Sequence, residues 1–524
     1  MRGDRQAIPP LLYVAPGVVA LAMVVPLGYL VVRAFEADAA TLVELLWRRR
    51  TWVLLRNTLG LTGGVVALST LIALPLAWLT VRTDLPARRL VTLLAVTPLA
   101  IPGYVMAHAL LGLGGTNGMA AAIGITMQRP SGFWGATIAL SLYAYPYVFL
   151  NVRASLLTLD PGLEESARSL GYSPANVFAR VVLPMLMPGL IAGWLIVALY
   201  ALGDFGAVAL MRFEVFSFAI YTQYAGAFDR VYASALALVL VLLAIGPLVL
   251  ETRLLGSVRF ARTGSGVARR QRVARLGAMK PVAIVFVAAV IAASVGLPAV
   301  SLLYWMGLSS PWGELPRLIA YFGNSVAASA PAALLAVVAA IPLAYLRVRY
   351  PGKRSILAER TAYLGYAIPP LALALGMVFF SIRVVPFLYQ TLLLLVVAYA
   401  MNFLALALGP IRSQLLLAPR RLEEAARSLG RSPFEAFVTA ILPVLQRGIL
   451  ASLTLVFVMA MKELPIAFLL APTGFTTLSV AVFSRTSEAM FAEAAPYAAA
   501  IVVFSALFVG LMLRYEGQEI NEAS

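Results

Sequence analysis

Long apolar stretches without a formal charge recur twelve times along the chain, separated by short polar segments. In the first part they are Gln6–Val32, Asn57–Val81, Leu90–Gln128, Pro130–Val152, Val181–Gly203 and Val231–Leu250. In the second they are Pro281–Gly313, Leu318–Leu346, Thr361–Ile382, Val384–Ile411, Gly448–Met461 and Ala494–Leu513. The eleventh is interrupted by Lys462 and Glu463 and resumes to Leu470. About 20 mostly apolar residues cross a bilayer as a helix, so the pattern predicts an all-α polytopic membrane protein. The first stretch is longer than the roughly 7–15 apolar residues of a signal peptide and lacks a small-residue cleavage site after it. It reads as a retained helix.

The twelve predicted spans form two related sets. Asn57 and Pro75–Ala77 reappear as Asn324 and Pro342–Ala344, and Ile101–Pro102 reappears as Ile368–Pro369, all at an offset of 267. After the fourth span the offset becomes 259, and Leu163–Gly189 matches Leu422–Gly448 at 15 of 27 positions without a gap. Six spans return a chain to its starting side, so the halves are parallel repeats. This predicts a first domain over 1–254, a basic linker over 255–280 and a second domain over 281–524.

Composition agrees and narrows the function. Hydrophobic residues make up 61% of the 524 and charged residues 12%, against about 45–50% and about 25% in soluble domains. The absence of cysteine excludes disulfides, iron–sulfur clusters and thiolate zinc sites. One histidine, His108, excludes a His-rich metal cage. The three lysines, Lys280, Lys353 and Lys462, are followed by Pro281, Arg354 and Glu463, so the chain has no GxxxxGK[ST] phosphate loop.

The net charge of +17 sits between the apolar spans, which points to membrane orientation and away from nucleic acid. Arg82, Arg88 and Arg89 fill one loop; Arg347, Arg349, Lys353, Arg354 and Arg360 fill its counterpart. The linker carries Arg253, Arg259, Arg262, Arg269, Arg270, Arg272, Arg275 and Lys280. The positive-inside rule puts these loops and both termini in the cytoplasm. Arg48–Arg50 falls in the first outer loop and is read as capping an interfacial helix. Arg153 and Arg412 are expected to anchor the inner ends of spans four and ten against lipid phosphates or loop carboxylates.

The strongest local signal is a polar loop present in both halves, 160–189 and 419–448. It reads Leu163–Glu164–Glu165–Ser166–Ala167–Arg168–Ser169–Leu170–Gly171, then Ser173–Pro174 and Leu183–Pro184. The second copy reads Leu422–Glu423–Glu424–Ala425–Ala426–Arg427–Ser428–Leu429–Gly430, then Ser432–Pro433 and Leu442–Pro443. Asp160–Pro161 starts a helix, Gly171 and Gly430 suit the left-handed residue that ends one, and Ser432 with Glu435 forms a capping box. The predicted unit is helix, glycine turn, helix at the membrane surface. Two such knobs call for a partner with two equivalent grooves, most simply a symmetric dimer.

Glu-Ala-Ala, a glycine and a following Leu-Pro resemble the EAA loop of binding-protein-dependent ABC importer permeases. Glu424–Ala426 through Gly430 and Pro443 fits it, and Glu165–Ala167 through Gly171 and Pro184 departs by one serine. The resemblance covers essentially the whole chain. It implies two six-helix type I permease domains in a bacterial cytoplasmic membrane, no enzymatic step and no cofactor in this chain. It also implies two copies of a separate ATPase subunit that bind ATP and Mg, and a periplasmic or lipid-anchored binding protein. Glu164, Glu165, Ala167, Arg168 and Gly171, with Glu423, Glu424, Ala426, Arg427 and Gly430, would form the ATPase-coupling surface.

Fused permeases of this kind resemble the ferric-iron branch and, secondarily, the thiamine branch. Gly203–Asp204–Phe205–Gly206 and Lys462–Glu463–Leu464–Pro465 favour iron by that resemblance. Asp204 and Glu463 occupy matched positions inside apolar spans, where a carboxylate usually faces a cavity or a partner. They are candidate pathway groups and candidate oxygen ligands for a hard cation; alternatively Glu463 pairs with Lys462 or Arg212, and Asp204 caps broken backbone. Asp229 and Glu488, also matched, with Glu214 and Glu493 nearby, are candidate contacts for the delivery protein. His108 is expected to hydrogen-bond a neighbouring helix, and Tyr143, Tyr145 and Tyr147 to pack or anchor at the interface. An ion-coupled secondary transporter would instead use Asp204, Glu463 and His108 as titratable groups and would not need matched knobs.

Overall fold

The computed structural model describes residues 14–36, 38–227, 229–255, 273–309 and 311–522. Among them, ten helices are long and apolar enough to cross a membrane, and two bent helix pairs raise the number of spans to twelve. No strand occurs among the described residues; Thr83 and Ala274 form an isolated bridge.

The third and ninth stretches are the bent pairs, a feature hydropathy alone did not indicate. Arg88–Ala100 meets Gly103–Leu113 at 96°, and Lys353–Ala367 meets Pro370–Val384 at 101°. Both breaks sit at the duplicated Ile-Pro. A residue before proline is pushed out of the helical region, and Ile101 (ψ 113°) and Ile368 (ψ 127°) are extended. The proline also lacks the N–H that would continue the ladder. The third stretch ends as a helix at Leu113; beyond it lie turns and a short helix, Ala121–Ile123.

A correction concerns the duplicated loop. Its second helix does not lie apart on the surface but continues into the span, as Pro174–Gly203 and Pro433–Met461. The join is a wide π-helical turn in both copies, Phe178–Val182 and Phe437–Ile441. Pro184 and Pro443 follow each turn and cannot donate to the carbonyl four residues back, a defect that one widened turn accommodates.

Within each half, the second span packs on the fourth and the fourth on the fifth. Close approach is set by matched glycines: a Cβ on Gly189 would lie 2.8 Å from the Asn151 carbonyl oxygen, and one on Gly448 2.9 Å from that of Pro410. Small residues at such crossings let membrane helices touch along their backbones. The halves interlock through exchanged first helices. Val14–Ala34 packs on the bent ninth span of the second half, and Leu297–Leu308 packs on Gly103–Leu113 of the first.

Linker residues 256–272, with Arg259, Arg262, Arg269, Arg270 and Arg272, lie outside the described residues. Its far end docks on the first half, where Asp84 accepts from the Leu276 N–H at 2.8 Å. At the opposite end of the bundle a nine-residue helix, Ala39–Trp47, precedes Arg48–Arg50. Arg412 pairs with Glu359 of the bent ninth span at 2.5 Å, not with a loop carboxylate. The counterpart of Glu359 is Thr92, and the Arg153 Nε is buried with no hydrogen-bond partner among the described residues.

Candidate functional site

Two kinds of site emerge, one repeated at both duplicated loops and one where the halves meet. In the loops, Asp160 accepts from the Gly162 N–H at 2.9 Å, and Ser432 and Glu435 close the expected capping box. Gly171 and Gly430 take the left-handed conformation, with φ +84° and +82°. The Tyr172 and Arg431 N–H groups then reach back to the Ala167 and Ala426 carbonyls. Each knob is thus closed at its glycine turn, and its second helix is capped by a serine, Ser173 or Ser432.

What holds the knobs in place was not foreseen from the sequence. Glu164 forms a buried ion pair with Arg82 at 3.0 Å, and Glu423 pairs with Arg349 at 3.3 Å. Both arginines end the second span of their half, and they match at the repeat offset of 267. That duplication was the available signal. Arg349 is held further by donating to the Ala418 carbonyl at 3.1 Å, while the Arg420 guanidinium bonds the Arg349 carbonyl. Ala167 and Ala426 are buried underneath. Glu165, Arg168, Glu424 and Arg427 face outward. So do Leu170 and Leu429, 77% and 82% exposed. A duplicated leucine left bare at the tip of a polar loop is apolar surface suited to a partner.

The second site is a cavity of about 180 Å³ at the joint between the halves. Leu99, Ile101, Gly103, Tyr104, Tyr143, Tyr147, Tyr200 and Asp204 line it from the first half; Tyr366, Asn402, Met459, Lys462 and Glu463 line it from the second. The two bends and the two interrupted spans all end here. Asp204 and Glu463 therefore line one cavity.

Their local role is the same in both halves. Asp204 Oδ1 accepts from the Ala207 and Val208 N–H groups at 2.9 and 3.2 Å. Glu463 accepts from the Ile466 N–H at 3.0 Å and the Ala467 N–H at 3.2 Å. Each carboxylate caps the short helix after its broken span, where backbone donors have no partner of their own. Glu463 is not paired with Lys462 or Arg212. Asp204 keeps Oδ2 beside Gly103 at the cavity wall. Matched side chains fix the backbone around them: Ser217 and Ser479 donate to the Asp204 and Glu463 carbonyls, each at 2.6 Å. Asn57 and Asn324 donate to the Glu214 and Thr476 carbonyls, which gives the duplicated asparagines a role.

The rest of the lining breaks the symmetry. Tyr143, read as packing or interface, faces the cavity opposite its repeat counterpart Asn402, whose Oδ1 is buried without a hydrogen-bond partner. Tyr147 stacks on Tyr200 at 4.8 Å, and the Tyr366 hydroxyl donates to that of Tyr200 at 3.3 Å. Tyr145 does pack, with its hydroxyl 3.3 Å from Ser294 Oγ. The Lys462 ammonium crosses the joint to the Leu99 carbonyl at 2.8 Å, and the Tyr104 hydroxyl crosses back to the Lys462 carbonyl at 3.1 Å. A charged hydrogen bond contributes about 1.5–3 kcal/mol. Lys462→Met is accordingly expected to lower the stability of the joined halves by that order, read as a reduced melting temperature in detergent.

The remaining candidates stay apart from the cavity. Asp229 caps the sixth span through the Tyr232 N–H at 3.0 Å, and Glu488 is exposed after Leu478–Ser487. Glu214 faces Arg50 at 3.8 Å and Glu493 faces Arg485 at 4.0 Å. His108 is buried with Nδ1 3.0 Å from Thr486 Oγ1, the interhelical bond expected of it. Among the described residues no three His, Cys, Asp or Glu side chains gather as a metal cluster.

Comparison with known proteins matches this two-half architecture. The family model for the binding-protein-dependent transport system inner membrane component fits residues 67–254 and again 332–516. The chain is 33% identical over 505 residues, 95% of its length and 96% of the relative's, to the Fe(3+)-transport system permease protein FbpB 2 of Haemophilus influenzae. The molybdenum transport system permease protein ModB of the same organism is 34% identical over 29% of this chain and 69% of its own length. The sulfate transport system permease protein CysT of Salmonella typhimurium is 29% identical over 42% of this chain and 83% of its own. The chain belongs to the binding-protein-dependent inner-membrane permeases of ABC importers, with two permease units fused in one multi-pass polypeptide.

Proposed function

We propose that this permease imports ferric iron. The observation that carries the reading is the match to a ferric permease along nearly the whole fused chain, where the molybdenum and sulfate relatives align over less than half of it. The cavity supports it chemically. Its polar lining is oxygen-rich, with the Asp204 and Glu463 carboxylates, tyrosine hydroxyls and the Asn402 Oδ1, and hard oxygen donors suit a hard trivalent cation. Two carboxylates against the single Lys462 ammonium give a formal charge unfavourable to a sulfate or molybdate dianion.

In this reading the units divide at 255–280, both termini and the duplicated loops lie in the cytoplasm, and ATP with Mg is bound by two copies of a separate ATPase. Glu165, Arg168 and Leu170, with Glu424, Arg427 and Leu429, form the surface those copies grip. Closure of the ATPase dimer pushes both knobs, and the rigid ion pairs pass that motion to the second span of each half. A periplasmic or lipid-anchored protein delivers the ion at the opposite face, where Asp229 and Glu488 lie.

The test is uptake into proteoliposomes containing the permease, its co-purifying ATPase and the delivery protein. Radiolabelled Fe(III) is expected to accumulate only with ATP, with no competition from molybdate, sulfate or thiamine. Competition by an oxyanion or by thiamine would transfer the assignment to that solute. Asp204→Asn keeps the helix cap and removes the charge. It is expected to reduce iron uptake by about tenfold or more, the order of one lost charged interaction.

A further inference from the structure

A second cavity, of about 310 Å³, lies at the end of the bundle opposite the duplicated loops. It is formed where the first helix of one half meets the ninth span of the other. Arg33 and Glu36 come from the end of the first helix, Arg230 from the start of the sixth span, and Arg383 from the end of the ninth. Three guanidiniums and one carboxylate thus line the same space. Arg33 and Arg383 both approach Glu36, the latter at 3.6 Å. No acidic partner is found for Arg230 among the described residues. Arg33 Nε is buried with no hydrogen-bond partner, and its guanidinium carbon lies 5.7 Å from the Phe379 ring centre. A formal surplus of two positive charges around an open space is a site for an anion, and planar guanidiniums suit phosphate oxygens.

The setting identifies the source of the anion. All three arginines stand at the ends of apolar helices, the depth of lipid headgroups. Beside the cavity the surface turns apolar: Val32, Phe35, Val384 and Phe387 are 58%, 66%, 48% and 76% exposed. We propose that this cavity binds the phosphate of an anionic phospholipid, whose acyl chains lie along the exposed apolar flank. The bound lipid ties the first helix of one half to the ninth span of the other. Nothing in the central cavity or the knobs is needed for this binding.

The test uses the intact permease in detergent, titrated with short-chain phosphatidylglycerol and read by native mass spectrometry, with phosphatidylcholine and inorganic phosphate as comparison probes. The wild type is expected to retain phosphatidylglycerol in preference to phosphatidylcholine. Arg230→Gln with Arg383→Gln is expected to weaken phosphatidylglycerol about 30-fold, at the contribution typical of basic residues near an anionic lipid. Glu36→Gln removes the competing carboxylate and is expected to tighten binding, a gain that a misfolded variant would not show. Unchanged lipid retention in all variants would overturn the proposal. Full displacement by millimolar inorganic phosphate would overturn it in favour of a free-anion site. Normal lipid binding combined with loss of delivery-protein capture in the double arginine variant would overturn it in favour of a protein contact.

Discussion

Gly171→Val combined with Gly430→Val is expected to abolish ATP-driven uptake while the spans stay folded. Both glycines hold φ above +80°, and a left-handed backbone costs an ordinary L-residue about 1–2 kcal/mol, more with a β-branched side chain. The cost is conformational and not steric, because a Cβ at either position would meet nothing within 4 Å. The turn must therefore change shape, and the backbone bonds to Ala167 and Ala426 that close each knob are lost. Gly171→Asn with Gly430→Asn is the discriminating control, since asparagine visits this conformation readily. Uptake near wild type in the asparagine pair and none in the valine pair assigns the effect to turn geometry. Circular dichroism and monodispersity in detergent report that the bundle survives.

The second large effect is expected at the buried ion pairs. Arg349→Leu leaves Glu423, whose side chain is only 15% exposed, without its cationic partner, and breaking a buried pair from one side typically costs about 3–5 kcal/mol. Arg349 also holds the Ala418 carbonyl, so its loss frees the knob from the second span on two counts. Arg82→Leu is expected to cost less, because Arg168 stands 3.9 Å from Glu164 as a substitute partner. Removing both members, as Arg349→Leu with Glu423→Leu, is expected to restore melting temperature but not ATP-driven uptake. An apolar pair can pack, but it does not hold the knob in one fixed orientation. Recovery of both properties would show that the pair serves stability alone.

The parts of this molecule that were legible in the sequence are those encoded by near neighbours. Helix caps, the left-handed glycines and the capping box at Ser432 each depend on a few consecutive residues, and duplication made them conspicuous. The twelve spans follow from hydropathy, but hydropathy carries no direction, so the bends at Ile101–Pro102 and Ile368–Pro369 went unread although both Ile-Pro pairs were seen. Pairings across long separations were hidden for a different reason. Tyr143 and Tyr147 share one helix face, which resembles packing; Tyr200 and Tyr366, which complete the cavity wall, come from two other spans. Arg82 reaches Glu164 only because the chain crosses the bundle twice between them. Asp204 and Glu463 were singled out by burial of charge in an apolar span, and a cap was read for Asp204; Glu463 was read as an ion-pair partner, and its cap on the helix begun by Pro465 was not.

The proposal that each of the two matched knobs seats on its own copy of an ATPase is the centre of the account, and site-specific cross-linking tests it most directly. The chain has no cysteine, so Leu170→Cys and Leu429→Cys each give a single thiol at the tip of one knob. With a photoactivatable thiol label and the co-purified ATPase, each variant is expected to capture one ATPase copy, and the combined variant two. Both captures should respond to ATP. Capture at one knob only, or at neither while ATP-driven uptake persists, would contradict the account.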